Sequence, residues 1–363
     1  MDHRRLRGRR LEPFWLRHFL FVTKDYAVRK FATFLMLLGF TGCSASVEEP
    51  PKEAAAEVVM PPEPGEDIAQ FTEAIENNPQ DENAYRERGN ALFNQGELEL
   101  AVADYSESLK LKADARTYYN RGCAYSGLGE LDKANQDFDD AIRMDPKDPA
   151  PYFNRGINFH KQGDAARAIQ DLTEAMRLDP KDPQGLLNRG LVYLGVDMLD
   201  LAEADFTACL ALDPDNIPGY INRGYVHHNR GDYDLAIADY SEAIRRAPEN
   251  SLAYLNRGLA YSKKGQAGLD LALRDLTEAI RLSPRDPQAY NNRGTVHGAK
   301  GNHLDAVADF TKAIQLDHDL ASAYRNRGNA YLQLGETDKA RGDFQTALNL
   351  EPSQMVNIPP EYR

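Results

Sequence analysis

An Arg-Gly pair recurs along the chain at Arg88-Gly89, Arg121-Gly122, Arg155-Gly156, Arg189-Gly190, Arg223-Gly224, Arg257-Gly258, Arg293-Gly294 and Arg327-Gly328. The interval is 34 residues, apart from one of 33 and one of 36. A unit that short cannot bury an apolar face alone, so the core has to form by stacking one unit on the next. In the last unit Tyr324, Gly328 and Tyr331 fall at i, i+4 and i+7, and beyond Gly335 a second set follows as Ala340, Phe344 and Ala347. Each set is one face of an α-helix. Gly328 and Ala340 are the small positions at which the two helices can approach closely. Glu351-Pro352 ends the unit, because proline disfavours helical geometry in the residue before it.

The period and the pattern Tyr-x2-Arg-Gly-x2-Tyr…Ala-x3-aromatic or Leu…Pro resemble the tetratricopeptide repeat (TPR) over about residues 82–352. The resemblance implies an all-α, right-handed superhelical solenoid of eight helical hairpins, acting as a non-catalytic scaffold for other proteins or peptides. Residues 67–81 read as a lone second helix, with Phe71, Ala74 and Ile75 facing inward, that caps the first repeat. Irregularities fall in connections, at Lys112-Ala113-Asp114, at Gln266-Ala267-Gly268 and at His318. The tail 353–363 carries Pro359 and Pro360 and cannot form a capping helix of useful length. That reading leaves the C-terminal end open to a partner or to self-association with another copy.

Ahead of the repeats, Val28-Arg29-Lys30 precedes the apolar stretch Phe31–Phe40 and then Thr41-Gly42-Cys43. A basic region, a short apolar core and small residues form a secretory signal over residues 1–43, with a core too short to span a bilayer. The ending resembles a bacterial lipobox, which implies lipidation at Cys43 and a bacterial cell-envelope protein, lipid-anchored and facing outside the cytoplasm. Phe40 stands where that motif usually has Leu, and the Arg-rich segment before Val28 suggests a start codon placed too far upstream. The alternatives are an uncleaved membrane anchor or a cytoplasmic protein. Residues 44–66 are acidic and rich in proline, a disordered spacer with a reach of roughly 70 Å at ~3.1 Å per residue.

Four sets of repeated positions are candidates for function. The residue before each Arg is Asn120, Asn154, Asn188, Asn222, Asn256, Asn292 and Asn326, with Glu87 as the exception. In superhelical relatives an asparagine ladder here lines the concave groove and holds a guest peptide's backbone; the alternative is that Asn merely suits local helix contacts. One residue earlier stand Tyr119, Phe153, Leu187, Ile221 and Leu255, and three residues after the ladder Tyr225 joins Ile157, Leu191 and Leu259. These make an apolar groove with polar ends, or else pack between neighbouring helices. The eight Arg residues have a counterpart in Asp104, Asp137, Asp171, Asp205, Asp239, Asp275, Asp309 and Asp343. Both positions depart from the consensus Leu and Tyr in every unit, which marks a structural ion-pair ladder, either within a repeat or to the preceding one. The peptide-end clamp of chaperone-binding relatives is incomplete, since Arg86, Asn90 and Asn120 match but Ala150 and Asn154 replace its cations.

Charge and motifs narrow the rest. From Ser44 onward the chain holds 34 basic and 53 acidic residues, a balance of −19, which repels phosphate and disfavours nucleic acid. Cys43, Cys123 and Cys209 give no metal-ligand spacing, and no phosphate loop, nucleophile elbow or paired-acid signature occurs. No cofactor, no metal and no enzyme activity are expected. A second reading remains, a structural or oligomerising solenoid without a peptide ligand.

Overall fold

A computed structural model describes residues 66–353 and 358–362. The signal segment with Cys43 lies outside the described residues, as does the spacer except for Glu66. Every described element is helical. A capping helix, Glu66–Asn77, precedes eight hairpins. Their first helices are Glu82–Gln95, Ala115–Gly127, Pro149–Lys161, Pro183–Gly195, Ile217–Arg230, Ser251–Lys263, Pro287–Ala299 and Ala321–Gln333. The second helices are Leu98–Leu111, Leu131–Met144, Ala165–Leu178, Leu199–Leu212, Tyr233–Arg246, Leu269–Leu282, His303–Leu316 and Thr337–Leu350.

Local chemistry sets these boundaries. Asp81, Asp114, Asp148, Asp182, Asn216, Asn250 and Asp286 each accept a hydrogen bond from a backbone N–H in the first turn of a first helix. Proline in the opening turn of four of these helices costs nothing, because its missing N–H would have no intrahelical acceptor. The turn inside each hairpin passes through the left-handed region. Seven repeats place a glycine there, and repeat 4 places Asp197 at φ 61°.

The core is a stack of small-against-large contacts. The second-helix alanines Ala101, Ala134, Ala168, Ala202, Ala236, Ala272, Ala306 and Ala340 are completely buried. Four residues on stands a large side chain, such as Tyr105, Phe138 or Tyr240, pressed against the glycine of the Arg-Gly pair. A Cβ on Gly224 would lie 2.8 Å from the Tyr240 ring, so only glycine fits the observed spacing. Each second helix packs on its own first helix and on the first helix of the next repeat. First helices of successive repeats also touch, whereas second helices make no comparable contact. The first helices therefore form the inner face.

The end of the solenoid differs from the open surface expected from the tail's prolines. Ile358 is buried against Ala340, Phe344 and Ala347, and the Tyr362 ring lies 5.4 Å from that of Phe344. The chain covers its last hairpin by laying two apolar side chains on it, which requires no helix. An uncapped C-terminal end is thus corrected, and with it the premise for self-association there.

Candidate functional site

Each Arg of the Arg-Gly pairs faces the Asp of its own repeat. Nε and Nη2 donate to the two carboxylate oxygens at 2.7–2.9 Å in all eight repeats, from Arg88–Asp104 to Arg327–Asp343. This fork-to-fork pairing is the geometry that a guanidinium makes and an ammonium cannot. The hydrogen bonds to Asp239 hold the Arg223 proton more firmly than usual. Aromatic rings flank the cation in most repeats. The Arg257 guanidinium lies 5.6 Å from the Tyr254 ring centre and 6.0 Å from that of Tyr261.

The remaining nitrogen reaches across the repeat boundary. Nη1 donates to Thr72, Ser106, Thr173, Thr207, Ser241, Thr277 and Thr311 on the preceding second helix, at 2.9–3.3 Å. Arg155 finds the carboxylate of Asp139 at the same place. Each Arg therefore binds two repeats together, and the capping helix joins the series through Thr72. Sequence reasoning missed this hydroxyl ladder, although a Ser or Thr stands two residues after every Asp from Asp104 to Asp309 except Asp137, where Asp139 takes the place.

The asparagine ladder is not uniform. Asn120 donates to Asn90, Asn154 to the Tyr119 hydroxyl, Asn188 to the Gln184 carbonyl and Asn326 to Asn291. A rung is satisfied across the repeat boundary where the preceding repeat offers a polar side chain. Asn222, Asn256 and Asn292 follow Leu187, Ile221 and Leu255, and no side-chain hydrogen bond to these three occurs among the described residues. Asn222 is fully buried with neither amide atom paired, while Asn256 and Asn292 are half-exposed.

The apolar positions divide in the same way. Tyr119, Leu187 and Ile221 are buried and offer no surface, whereas Phe153, Tyr225 and Leu255 remain half-exposed. An apolar groove continuous through the middle repeats is therefore corrected to a partial one. The residues resembling a peptide-end clamp are occupied internally, since Asn90 accepts from both Tyr105 and Asn120, and Arg86 pairs with Glu87.

Groups suited to catalysis are subdued by burial. The Cys209 thiol is pushed up to about 12 and the His160 imidazole down to about 4, so both stay neutral near pH 7. His227 is buried beside Asp239, with Nε2 at 3.6 Å from Oδ2. No group of three His, Cys, Asp or Glu residues placed to hold a metal occurs among the described residues. None of the described helices is long and apolar enough to cross a membrane.

Family models for the TPR repeat match residues 89–129 and 224–265, and those for the tetratricopeptide repeat match 119–183, 153–217, 206–238 and 285–351. The chain belongs to the tetratricopeptide-repeat family. No curated protein matches it as a relative. Among solved structures, a tetratricopeptide repeat protein from Parabacteroides merdae is 19% identical over 72% of this chain and 99% of its own, with a TM-score of 0.53. The pilF protein of Pseudomonas aeruginosa is 18% identical over 56% of this chain and 92% of its own, at 0.50. YrrB, a TPR protein with an unusual peptide-binding site, is 27% identical over 51% of this chain and 96% of its own, at 0.44. The tetratricopeptide fold of this chain is thus shared with proteins of little sequence likeness.

Proposed function

We propose that this tetratricopeptide-repeat chain is a non-catalytic scaffold that holds a peptide segment of a partner protein on the inner face of repeats 5 to 7. One observation carries this reading. Asn256 and Asn292 present half-exposed amides that no protein group satisfies, on successive first helices beside the buried and likewise unpaired Asn222, while the other four rungs are engaged internally. An amide side chain offers one donor pair and one acceptor, which match the N–H and C=O of an extended peptide backbone. Half-exposed Tyr225 and Leu255 supply apolar contact beside these rungs. The acidic balance of the chain favours a basic or mixed-charge segment over an acidic one.

The lipobox-like Thr41-Gly42-Cys43 supports placing this scaffold at a bacterial envelope membrane, tethered through a lipid on Cys43 with the Pro-rich segment as spacer. Affinity capture from envelope fractions tests both parts. Asn256→Ala with Asn292→Ala should abolish recovery of the partner while helical content is kept. Cys43→Ser should release the protein from membranes and remove fatty-acid labelling. Undiminished capture by the double variant overturns the groove, and membrane retention without label overturns the lipid anchor.

A further inference from the structure

Carboxylates are divided unevenly between the two helices of each hairpin. The first helices of repeats 2 to 8 contain neither Asp nor Glu, whereas every second helix holds at least two. Only repeat 1 departs, with Glu82 and Glu87 in its first helix. Beyond Ser44 the chain has 53 acidic residues, so acids are not scarce. Their absence from seven successive first helices is a property of the inner face.

Helix chemistry does not produce this division. The macrodipole favours an acid in the first turn of any helix. Seven of the eight second helices have one there, from Glu99 to Asp338, and the first helices of repeats 2 to 8 do not. Burial does not produce it either, because the same helices carry Arg116, Lys263 and Arg325. Repeats 5 and 6 go further. Their caps are Asn216 and Asn250, which accept the bond that Asp accepts in repeats 1 to 4 and 7, without its charge.

In repeats 5 to 7 the face of the asparagine ladder continues three and seven residues on. Those places hold Tyr225 and Asn229, Leu259 and Lys263, and Thr295 and Ala299, all half-exposed or exposed. Lys263 is the one charge among the six. It is exposed, and it makes no ion pair or hydrogen bond among the described residues. By contrast Arg230 and Lys264, each next in sequence to one of the six, are held by Asp200 with Glu203 and by Asp234. Burial, and after it the Lys263 charge, hold the His228 imidazole below its ordinary value. His228 is therefore neutral near pH 7, and Lys263 supplies the positive charge at this place.

We propose that the peptide held on repeats 5 to 7 is of mixed charge, with a central Asp or Glu side chain seated on Lys263 and its cations in the flanks. This rests on the reading of that face as a peptide groove and adds the chemistry of the guest. A carboxylate at Lys263 meets a cation that no group of the chain already holds, with no acid on the first helices either side of it. A wholly acidic segment would be repelled at longer range, since 34 basic residues face 53 acidic ones beyond Ser44. Cations in the flanks of the guest offset that repulsion while its centre keeps the carboxylate.

The test is selection of random peptides displayed on phage by the immobilised full-length protein. The wild type should retain sequences with Asp or Glu at the centre and Lys or Arg in the flanks. Synthetic copies of these should bind Lys263→Glu roughly fivefold more weakly, the upper range for an exposed ion pair. Lys263 is exposed and unpaired, so this variant should keep the circular dichroism spectrum of the wild type. Asn256→Ala with Asn292→Ala should bind none of the copies. Retained sequences with basic or uncharged centres, lost in that double variant, overturn this inference and leave the groove standing. Acid-centred sequences that bind Lys263→Glu as tightly as the wild type overturn it too. Recovery of nothing beyond what the double variant retains overturns the groove and the inference together.

Discussion

Arg223 donates through Nε and Nη2 to both oxygens of Asp239, at 2.9 and 2.7 Å. The same guanidinium reaches Thr207 of the preceding repeat at 3.3 Å. The pairing of Arg with Asp is thus within a repeat, and the link between repeats is a hydroxyl. In a solenoid these two kinds of contact have different consequences, because stability is a sum of repeat terms and nearest-neighbour interface terms.

Removing one partner should separate them. Arg223→Leu leaves a carboxylate that is 7% exposed with only the His227 imidazole near it, and should lower the unfolding free energy by roughly 3–5 kcal/mol. A further Asp239→Tyr should recover much of that loss. In denaturant melts the coupling of Arg223 with Asp239 should exceed ~0.5 kcal/mol and surpass that with Asp205, which Arg189 holds. Thr207→Val should cost about 0.5–1.5 kcal/mol and act on the boundary of repeats 4 and 5. Equal coupling to both carboxylates would contradict the geometry.

Glycines of one chain should respond oppositely to the same substitution. At Gly224 an added methyl meets the Tyr240 ring at 2.8 Å, inside a hairpin that cannot widen without disturbing the next repeat. Gly224→Ala should cost about 1–3 kcal/mol. Gly342 lies within the second helix of repeat 8 with nothing within 4 Å of a built Cβ. Gly342→Ala should stabilise by up to ~1 kcal/mol through helix propensity alone. Thermal melting of the two variants checks both signs.

How far the sequence predicts this structure depends on whether a feature repeats. The hairpins, their small positions and the Arg and Asp series are readable because each occurs eight times with its spacing kept. The hydroxyl ladder also repeats, yet Ser or Thr at a half-exposed helical position is ordinary and Asp139 interrupts the series. The asparagine rungs look equivalent in sequence. What distinguishes Asn154 from Asn222 is the residue that the preceding repeat sets against it, Tyr119 in one case and Leu187 in the other. That information is tertiary, and periodicity alone does not carry it.

The tail is a further case in which tertiary contact outweighs local propensity. Pro359 and Pro360 forbid a long helix, but burial of Ile358 needs only that the chain turn back over Phe344. Ile358→Ala should cost roughly 2–4 kcal/mol, within the range for truncating a buried aliphatic side chain. The loss should be confined to the last hairpin, visible as faster hydrogen exchange in residues 321–350 with repeats 1 to 6 unchanged. A uniform loss of protection along the chain would show instead that the solenoid melts as one unit.

Asn222 separates the rungs that belong to the fold from those that can face a ligand. Its side chain is fully buried, and neither the amide nitrogen nor the amide oxygen meets a protein partner. Leaving such a group unpaired costs about 1–3 kcal/mol, so a residue of similar size without polar atoms should be the more stable choice. Asn222→Leu is therefore expected to raise the melting temperature. With no exposed surface the side chain does not itself touch a bound peptide, so capture of the partner should be unchanged in this variant and lost in Asn256→Ala with Asn292→Ala. That contrast, greater stability with binding kept in one variant and binding lost in the other, separates the buried rung from the two that face a ligand. If Asn222→Leu lowers stability, the amide is satisfied in solution and this rung belongs to the fold, leaving Asn256 and Asn292 to carry recognition.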